Sequence, residues 1–187
     1  YMPHFISLVV IVGIMFDFFA RDGLVNQLLG MFGVEPIPFM RDENWFRTMY
    51  IGSEIWQSIG WNSIIYLAAI SNVDPALYEA AKMDGAGRFK QMLHITIPGI
   101  LPTISILLIL FIGNFMSVGT EKILLMYSPV TYETADVIQT YVFRKGIIEF
   151  NYSYSAAVGL FNSIVSFTLL ILANAVARRT SESNKLW

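Results

Sequence analysis

The stretch Asp74 to Pro98, DPALYEAAKMDGAGRFKQMLHITIP, holds the densest set of residues whose types and spacing could do chemistry. Asp74 is placed to cap a helix, Pro75 fits its first position and Gly85 fits a left-handed stop, so a sharply ended helix of about two turns is expected between them. On that helix Leu77, Ala80, Ala81 and Asp84 recur at three- and four-residue spacing. They give one small, largely apolar face with carboxylates, Glu79 and Asp84, at its edge. Such a face lets another backbone come close. It serves either to pack the loop onto its own bundle or to dock a second protein, and residue chemistry alone leaves both open. A second short helix is expected from Gly87 to His94, with Pro98 interrupting the chain before the next apolar run.

A second set consists of polar side chains within uncharged, apolar runs: Glu54, Gln57 and Asn62, then Asn114, then Asn162, Ser163 and Ser166, with Trp56 and Trp61 near the first three. Polar groups in hydrocarbon are costly and tend to face a pathway. The alternatives are ordinary ones: Ser and Asn bond helix to helix, Trp anchors at membrane interfaces, and Glu54 could sit at a span's end. Other features carry less. His4 and His94 lack companions for a metal site, the nine Met are core filler, and Asn151-Tyr152-Ser153 is a short, frequent spelling of a glycosylation signal. Asp17 reads as a residue at the water interface.

The elements that must position these groups follow from composition. The chain has 187 residues with 14 acidic and 12 basic side chains, a net charge of −2, 14% charged residues and a mean hydropathy of +0.56. A soluble domain carries about 25% charged residues, so this chain is built for lipid. A near-neutral balance without basic blocks excludes the electrostatic footprint of a nucleic-acid binder. The absence of cysteine excludes a disulfide scaffold, a thiolate metal site and a cysteine nucleophile.

Crossing about 30 Å of hydrocarbon takes roughly 20 helical residues, and four runs qualify as spans, at about 3–20, 47–71, 99–119 and 154–177. The expected architecture is therefore an all-α, polytopic membrane bundle, with a short helix around Leu24 to Met31 in the loop 21–46 and an amphipathic helix near Thr134 to Phe143 in the loop 120–153. The first run begins at Tyr1-Met2-Pro3-His4 without the basic start and cleavage site of a secretory signal, so a helix beginning before Pro3 is expected. Arg21, Arg41, Arg47, Lys122, Arg144 and Lys145 fall on one side, and Lys82, Arg88, Lys90, Arg178, Arg179 and Lys185 on the other. Six against six sets no orientation. The dibasic pair at the end of the last span favours a cytoplasmic tail, which makes 74–98 cytoplasmic and the loops 21–46 and 120–153 external.

Glu79-Ala80-Ala81, three residues, Gly85, nine residues and Ile95-Thr96-Ile97-Pro98 resemble the EAA loop of permease subunits from binding-protein-dependent ABC importers, EAA-x3-G-x9-I-x-L-P, with Ile97 in place of Leu. Ser117-Val118-Gly119-Thr120-Glu121-Lys122, Tyr132 to Ile138 and Ala157 to Ser163 look like the branch that imports oligosaccharides and complex sugars. Tyr1 to Ser7 is similar to the segment opening the third of six spans there. The resemblance implies the C-terminal four of about six spans.

It also implies a division of labour. The EAA loop would be a coupling helix seated in a cytoplasmic ATPase, with Glu79 paired to a cation there, Ala80 and Ala81 permitting close approach, Asp84 at the edge, Gly85 making the turn, and Ile95 and Pro98 completing the motif. ATP and Mg would belong to that partner. No G-x-x-x-x-G-K-[ST] phosphate loop occurs in this chain, which carries no cofactor and is not itself an enzyme. The implied partners are two ATPase subunits, a companion permease of different sequence and an extracytoplasmic sugar-binding protein, in the bacterial plasma membrane. Glu54, Gln57, Asn62, Asn114 and Asn162 would then line the substrate pathway, where amides bond hydroxyls and Trp faces stack on sugar rings. The rival reading is a secondary transporter driven by an ion gradient, with Glu54 as the ion carrier; it calls for internal repeats, and none is visible.

Overall fold

Every regular element among the described residues is helical. The computed structural model describes residues 1–116 and 119–180, with the backbone alone over 176–180. Ser117, Val118, Lys185 and the side chains of Arg178 and Arg179 lie outside the described residues. In chain order the α-helices are α1 (Leu8–Phe18), α2 (Leu24–Gly30), α3 (Glu43–Ser71), α4 (Pro75–Met83), α5 (Arg88–Gln91), α6 (Ile97–Gly113), α7 (Thr120–Met126), α8 (Tyr132–Ala135), α9 (Ile138–Phe143) and α10 (Tyr152–Thr180). The stretches Arg88–Gly113 and Tyr152–Ala175 are long and apolar enough to cross a membrane. α3 has 29 residues, about 44 Å at 1.5 Å each, and carries its polar residues along that length.

The chain divides into two units, one comprising Tyr1–Trp61 and Ser117–Leu160, the other Asn62–Met116 and Phe161–Trp187. In the first unit, Ile11, Val12 and Met15 of α1 meet Met40, Phe46, Ile123, Met126 and Ala135 in one buried cluster. Positions 11, 12 and 15, like 123 and 126, are spaced to share a helix face, which is why α1 and α7 bury a stripe each. The loop after α1 is held by Asn26, 3% exposed. Its Nδ2 donates to the carbonyls of Ala20 and Ile37, both at 2.8 Å, and its Oδ1 accepts from Ile37 N–H at 2.9 Å.

The first apolar run differs from the expected 3–20 helix. Pro3 lies in a 3-10 turn, Met2–Phe5, after which Ile6 is extended and Ser7 caps α1 by accepting from Val10 N–H at 3.4 Å. Proline fixes φ and removes a donor, so the turn closes early and the helix restarts at the serine. α1 is then 11 residues, about 16 Å, shorter than a full crossing.

In the second unit, α5 runs without a break through a π-turn, Met92–Thr96, into α6. Pro98 therefore does not interrupt the chain as expected. Its ring denies His94 O an i+4 donor, and the helix widens one turn earlier, where Ile97 N–H bonds Met92 O across five residues. Further along, a Cβ at Gly113 would stand 2.8 Å from Leu170 Cδ1, so α6 and α10 pack closely there within the unit and a larger residue would turn the Leu170 side chain aside.

Candidate functional site

The helix expected between Asp74 and Gly85 is α4, and both its ends are built as the sequence dictates. Asp74 Oδ1 accepts from Ala76 N–H at 2.9 Å and Pro75 occupies the first position. At the far end Gly85 takes φ +74°, Gly85 N–H bonds Lys82 O at 3.0 Å and Ala86 N–H bonds Ala81 O at 2.8 Å. That pair of bonds is a Schellman closure, which satisfies carbonyls the helix would otherwise leave free.

Tyr78 fixes α4 to the foot of α6: its Oη lies 2.9 Å from Thr96 Oγ1 in the π-turn. A Cβ at Gly99 would stand 3.0 Å from Val73 Cγ2, so the chain entering α4 also runs close against α6. Gln91 Nε2 donates to Ala86 O at 2.7 Å and ties the segment after the Schellman turn. The outer surface remains open. Glu79, Ala80, Asp84 and Gly85 are exposed, as is Leu77, while Ala81 is half-buried and lines a shallow groove with Ala86, Lys90, His94 and Ile95. Pro98 sits in the first turn of α6, outside that groove. The structure thus brings Ala81 and Ile95 together and leaves Glu79 and Asp84 free of ion pairs among the described residues.

The polar residues of the spans separate into two groups. In the first unit Glu54 and Gln57 converge on Lys122 of α7, whose Nζ donates to Glu54 Oε2 at 3.0 Å and to Gln57 Oε1 at 3.5 Å. Lys122 Nζ also stands 5.8 Å from the Tyr50 ring centroid. Gln57 Nε2 reaches Ile6 O at 3.5 Å. Glu54 is the twelfth residue of α3, well inside the helix rather than at its end.

Asn62, Asn114 and Asn162 belong to the second unit. Asn62 is exposed, Asn114 Nδ2 bonds back to Leu110 O at 3.1 Å, and Asn162 Oδ1 is buried with no hydrogen-bond partner among the described residues.

In the sequence Lys122 stands as a loop charge and as the end of the Ser117–Lys122 resemblance, with nothing to join it to Glu54 and Gln57. Its signal was present: it precedes the buried pair Ile123 and Met126 in a short helix, and an ammonium on a core-facing stripe needs a carboxylate.

The loop 120–153, expected to hold one amphipathic helix, holds α7, α8 and α9 and ends in a π-turn, Arg144–Ile148. Asp136 Oδ1 accepts from Thr140 Oγ1 at 2.6 Å and the carboxylate pairs with the Arg144 guanidinium, which lies 4.8 Å over the Tyr132 ring. The Asp136 hydrogen bond holds Arg144 above its ordinary pKa, while burial pushes the Tyr127 phenol upward.

The chain sets an exposed, glycine-closed helix directly before a helix long and apolar enough to cross a membrane, and comparison places it among membrane transport permeases. The chain belongs to the family of binding-protein-dependent transport system inner membrane components, which it matches over residues 1–182. It is 48% identical over 183 residues to the polygalacturonan/rhamnogalacturonan transport system permease protein YteP of Bacillus subtilis, covering 97% of this chain and 57% of that protein. Protein LplB of the same organism is 47% identical over 180 residues, with 96% and 57% covered. Among solved structures, a permease chain of a bacterial alginate ABC transporter in complex with an alginate pentasaccharide-bound periplasmic protein superposes with a TM-score of 0.94 at 44% identity. That match covers 96% of this chain and 63% of the other. The chain therefore spans less than two thirds of the length of these relatives.

Proposed function

We propose that this chain forms part of the membrane subunit of an ATP-driven importer of oligosaccharides, in which α4 couples the permease to a cytoplasmic ATPase. The observation that carries the reading is the build of α4: capped at Asp74, closed at Gly85, pinned through Tyr78 to the foot of α6, and open on Glu79, Ala80 and Asp84. A rigid helix joined to a spanning helix transmits a push; a loose loop absorbs it. Ala80 permits close approach, and Glu79 offers an unpaired charge to a cation on the partner.

The companion permease, the extracytoplasmic binding protein and the placement of 74–98 on the cytoplasmic side belong to the same proposal. So does the assignment of Glu54, Gln57, Asn62, Asn114 and Asn162 to a sugar pathway. Relatives named for polygalacturonan, rhamnogalacturonan and the acidic polysaccharide alginate make fragments of acidic polysaccharides the first substrates to test. The Glu54 carboxylate is already engaged by a buried ammonium, which leaves it poorly suited to carry a transported cation.

The test is affinity capture of the complete permease from its native membrane in mild detergent, wild type beside Glu79→Lys, with mass spectrometry of what co-purifies. An ATPase retained by the wild type and depleted with the variant supports coupling through α4, because the substitution sets like charges against each other. Equal recovery with normal oligosaccharide uptake by the variant refutes it.

A further inference from the structure

Two adjoining cavities in the first unit have no role in the coupling loop or the polar cluster. One is a groove of about 340 Å³ between α1 and α3, almost wholly apolar, with Ile14, Phe18, Met49, Gly52 and Trp56 among its walls. The other is a recess of about 490 Å³ beyond the end of α1, where Arg21 and Arg41 face in beside Phe16, Phe19 and Pro38. Phe19 lines both, so the apolar groove and the basic recess adjoin at its ring.

Charge decides what such a pair of cavities can hold. Ion pairs among the described residues are Lys122–Glu54, Arg144–Asp136 and Lys145–Glu149, so neither Arg21 nor Arg41 has a carboxylate partner. Asp22 and Glu35 share a separate neighbouring recess with Arg21 and do not line this one. Two exposed guanidiniums converge on one recess, and a guanidinium fork matches the oxygens of a phosphate.

Depth points the same way. Phe19, Phe39 and Trp45 stack edge to face beside the recess, with centroids 5.6 Å and 4.9 Å apart. Aromatic residues gather at the headgroup level of a membrane, and the groove runs from that level along α1, the shorter apolar helix.

We infer that this groove and recess form a phospholipid site, in which one acyl chain lies along Ile14, Phe18, Met49 and Trp56 while Arg21 and Arg41 bond the headgroup phosphate. The site would pin a lipid against a helix of about 16 Å, shorter than a full crossing. The inference rests on the family's place in the inner membrane and is independent of which solute is carried.

The complete transporter, purified in mild detergent and delipidated, is titrated with dioleoyl phosphatidylglycerol and read by native mass spectrometry as lipid bound per permease. Arg21→Ala and Arg41→Ala are each expected to weaken retention about tenfold, the loss of one charge-assisted hydrogen bond. A Cβ at Gly52 meets nothing within 4 Å, so Gly52→Leu can place its side chain in the groove and is expected to displace the lipid at an unchanged unfolding midpoint. Glycerol phosphate, which has the headgroup and no chains, should bind far more weakly than the lipid.

Retention unchanged in all three variants overturns the site. Glycerol phosphate binding as tightly as the lipid overturns the role of the groove. A Gly52→Cys crosslink that captures protein rather than lipid in native membranes shows the groove to be a protein interface and overturns the proposal. None of these readouts depends on ATPase capture or uptake, so a failure here is distinct from a failure of the importer reading.

Discussion

Lys122 Nζ lies 3.0 Å from Glu54 Oε2, joining α7 to α3 across 68 positions of sequence. The two partners are unequally exposed: the lysine side chain is 1% exposed and the glutamate 49%. Removing one member of an ion pair costs most when it strands the buried charge. Glu54→Gln leaves a buried ammonium with weaker acceptors and is expected to cost about 2 kcal/mol of stability. Lys122→Met leaves a carboxylate that water can reach, at a cost below about 1 kcal/mol. Unfolding midpoints of the complete permease in detergent give the order, and a larger loss for Lys122→Met would contradict this account of the pair.

Gly85 is the other position where chemistry admits little variation. At φ +74° a Cβ meets no neighbour, so the obstacle to substitution is the backbone conformation itself. Gly85→Ala is expected to destabilise the closure of α4 by about 1 kcal/mol. Gly85→Asn should cost less, since asparagine tolerates the left-handed region. If α4 couples the permease to an ATPase, solute uptake falls in the same order while membrane insertion is unchanged. Uptake that is lower for Gly85→Asn than for Gly85→Ala would separate transport from the turn geometry.

Local signals made α4 and its caps legible in the sequence, because Asp74, Pro75 and Gly85 each act on residues within five positions. The fold class and the long helices α6 and α10 were legible from length and hydropathy alone. What could not be read were relationships over distance and small accommodations of the backbone. Lys122 has the formal charge of a loop lysine until a helix 68 residues away supplies its carboxylate. Pro98 carries the signal of a helix break, and nothing local to it shows that the chain absorbs the missing donor by a π-turn over Met92–Thr96 instead. Asn26 looks like any loop asparagine, yet its three hydrogen bonds to Ala20 and Ile37 hold the chain after α1.

The Tyr78–Thr96 bond is the link through which motion of α4 would reach α6. Tyr78→Phe and Thr96→Val should each loosen α4 by about 1 kcal/mol, and the double variant should cost little more than either single one. Hydrogen exchange at the amides of α4 in the complete permease reads this directly: exchange is expected to quicken over residues 75–83 in both variants. If α4 couples the permease to an ATPase, slower transport with intact ATPase capture would accompany it, since the helix would still dock and transmit less. Additive effects of the two substitutions would mean that they act through separate contacts.

The Asp136 carboxylate serves Thr140, fully buried, and Arg144 at once. Asp136→Ala removes an acceptor from both, although Thr140 Oγ1 keeps Val137 O at 2.9 Å, and is expected to cost about 2 kcal/mol, whereas Arg144→Leu leaves the Thr140 bond intact and should cost about 1 kcal/mol. The pH dependence follows from the direction of the Arg144 shift. A guanidinium raised by its carboxylate partner contributes stability that is fully present below its unfolded pKa, itself strongly basic, and lost only as pH rises through the higher folded value. Between about pH 6 and pH 10 Arg144 stays charged in both states, so the difference in unfolding midpoint between wild type and Arg144→Leu should be flat across that range. A difference that shrinks toward pH 10 would assign the stabilisation to a group that titrates there rather than to the guanidinium.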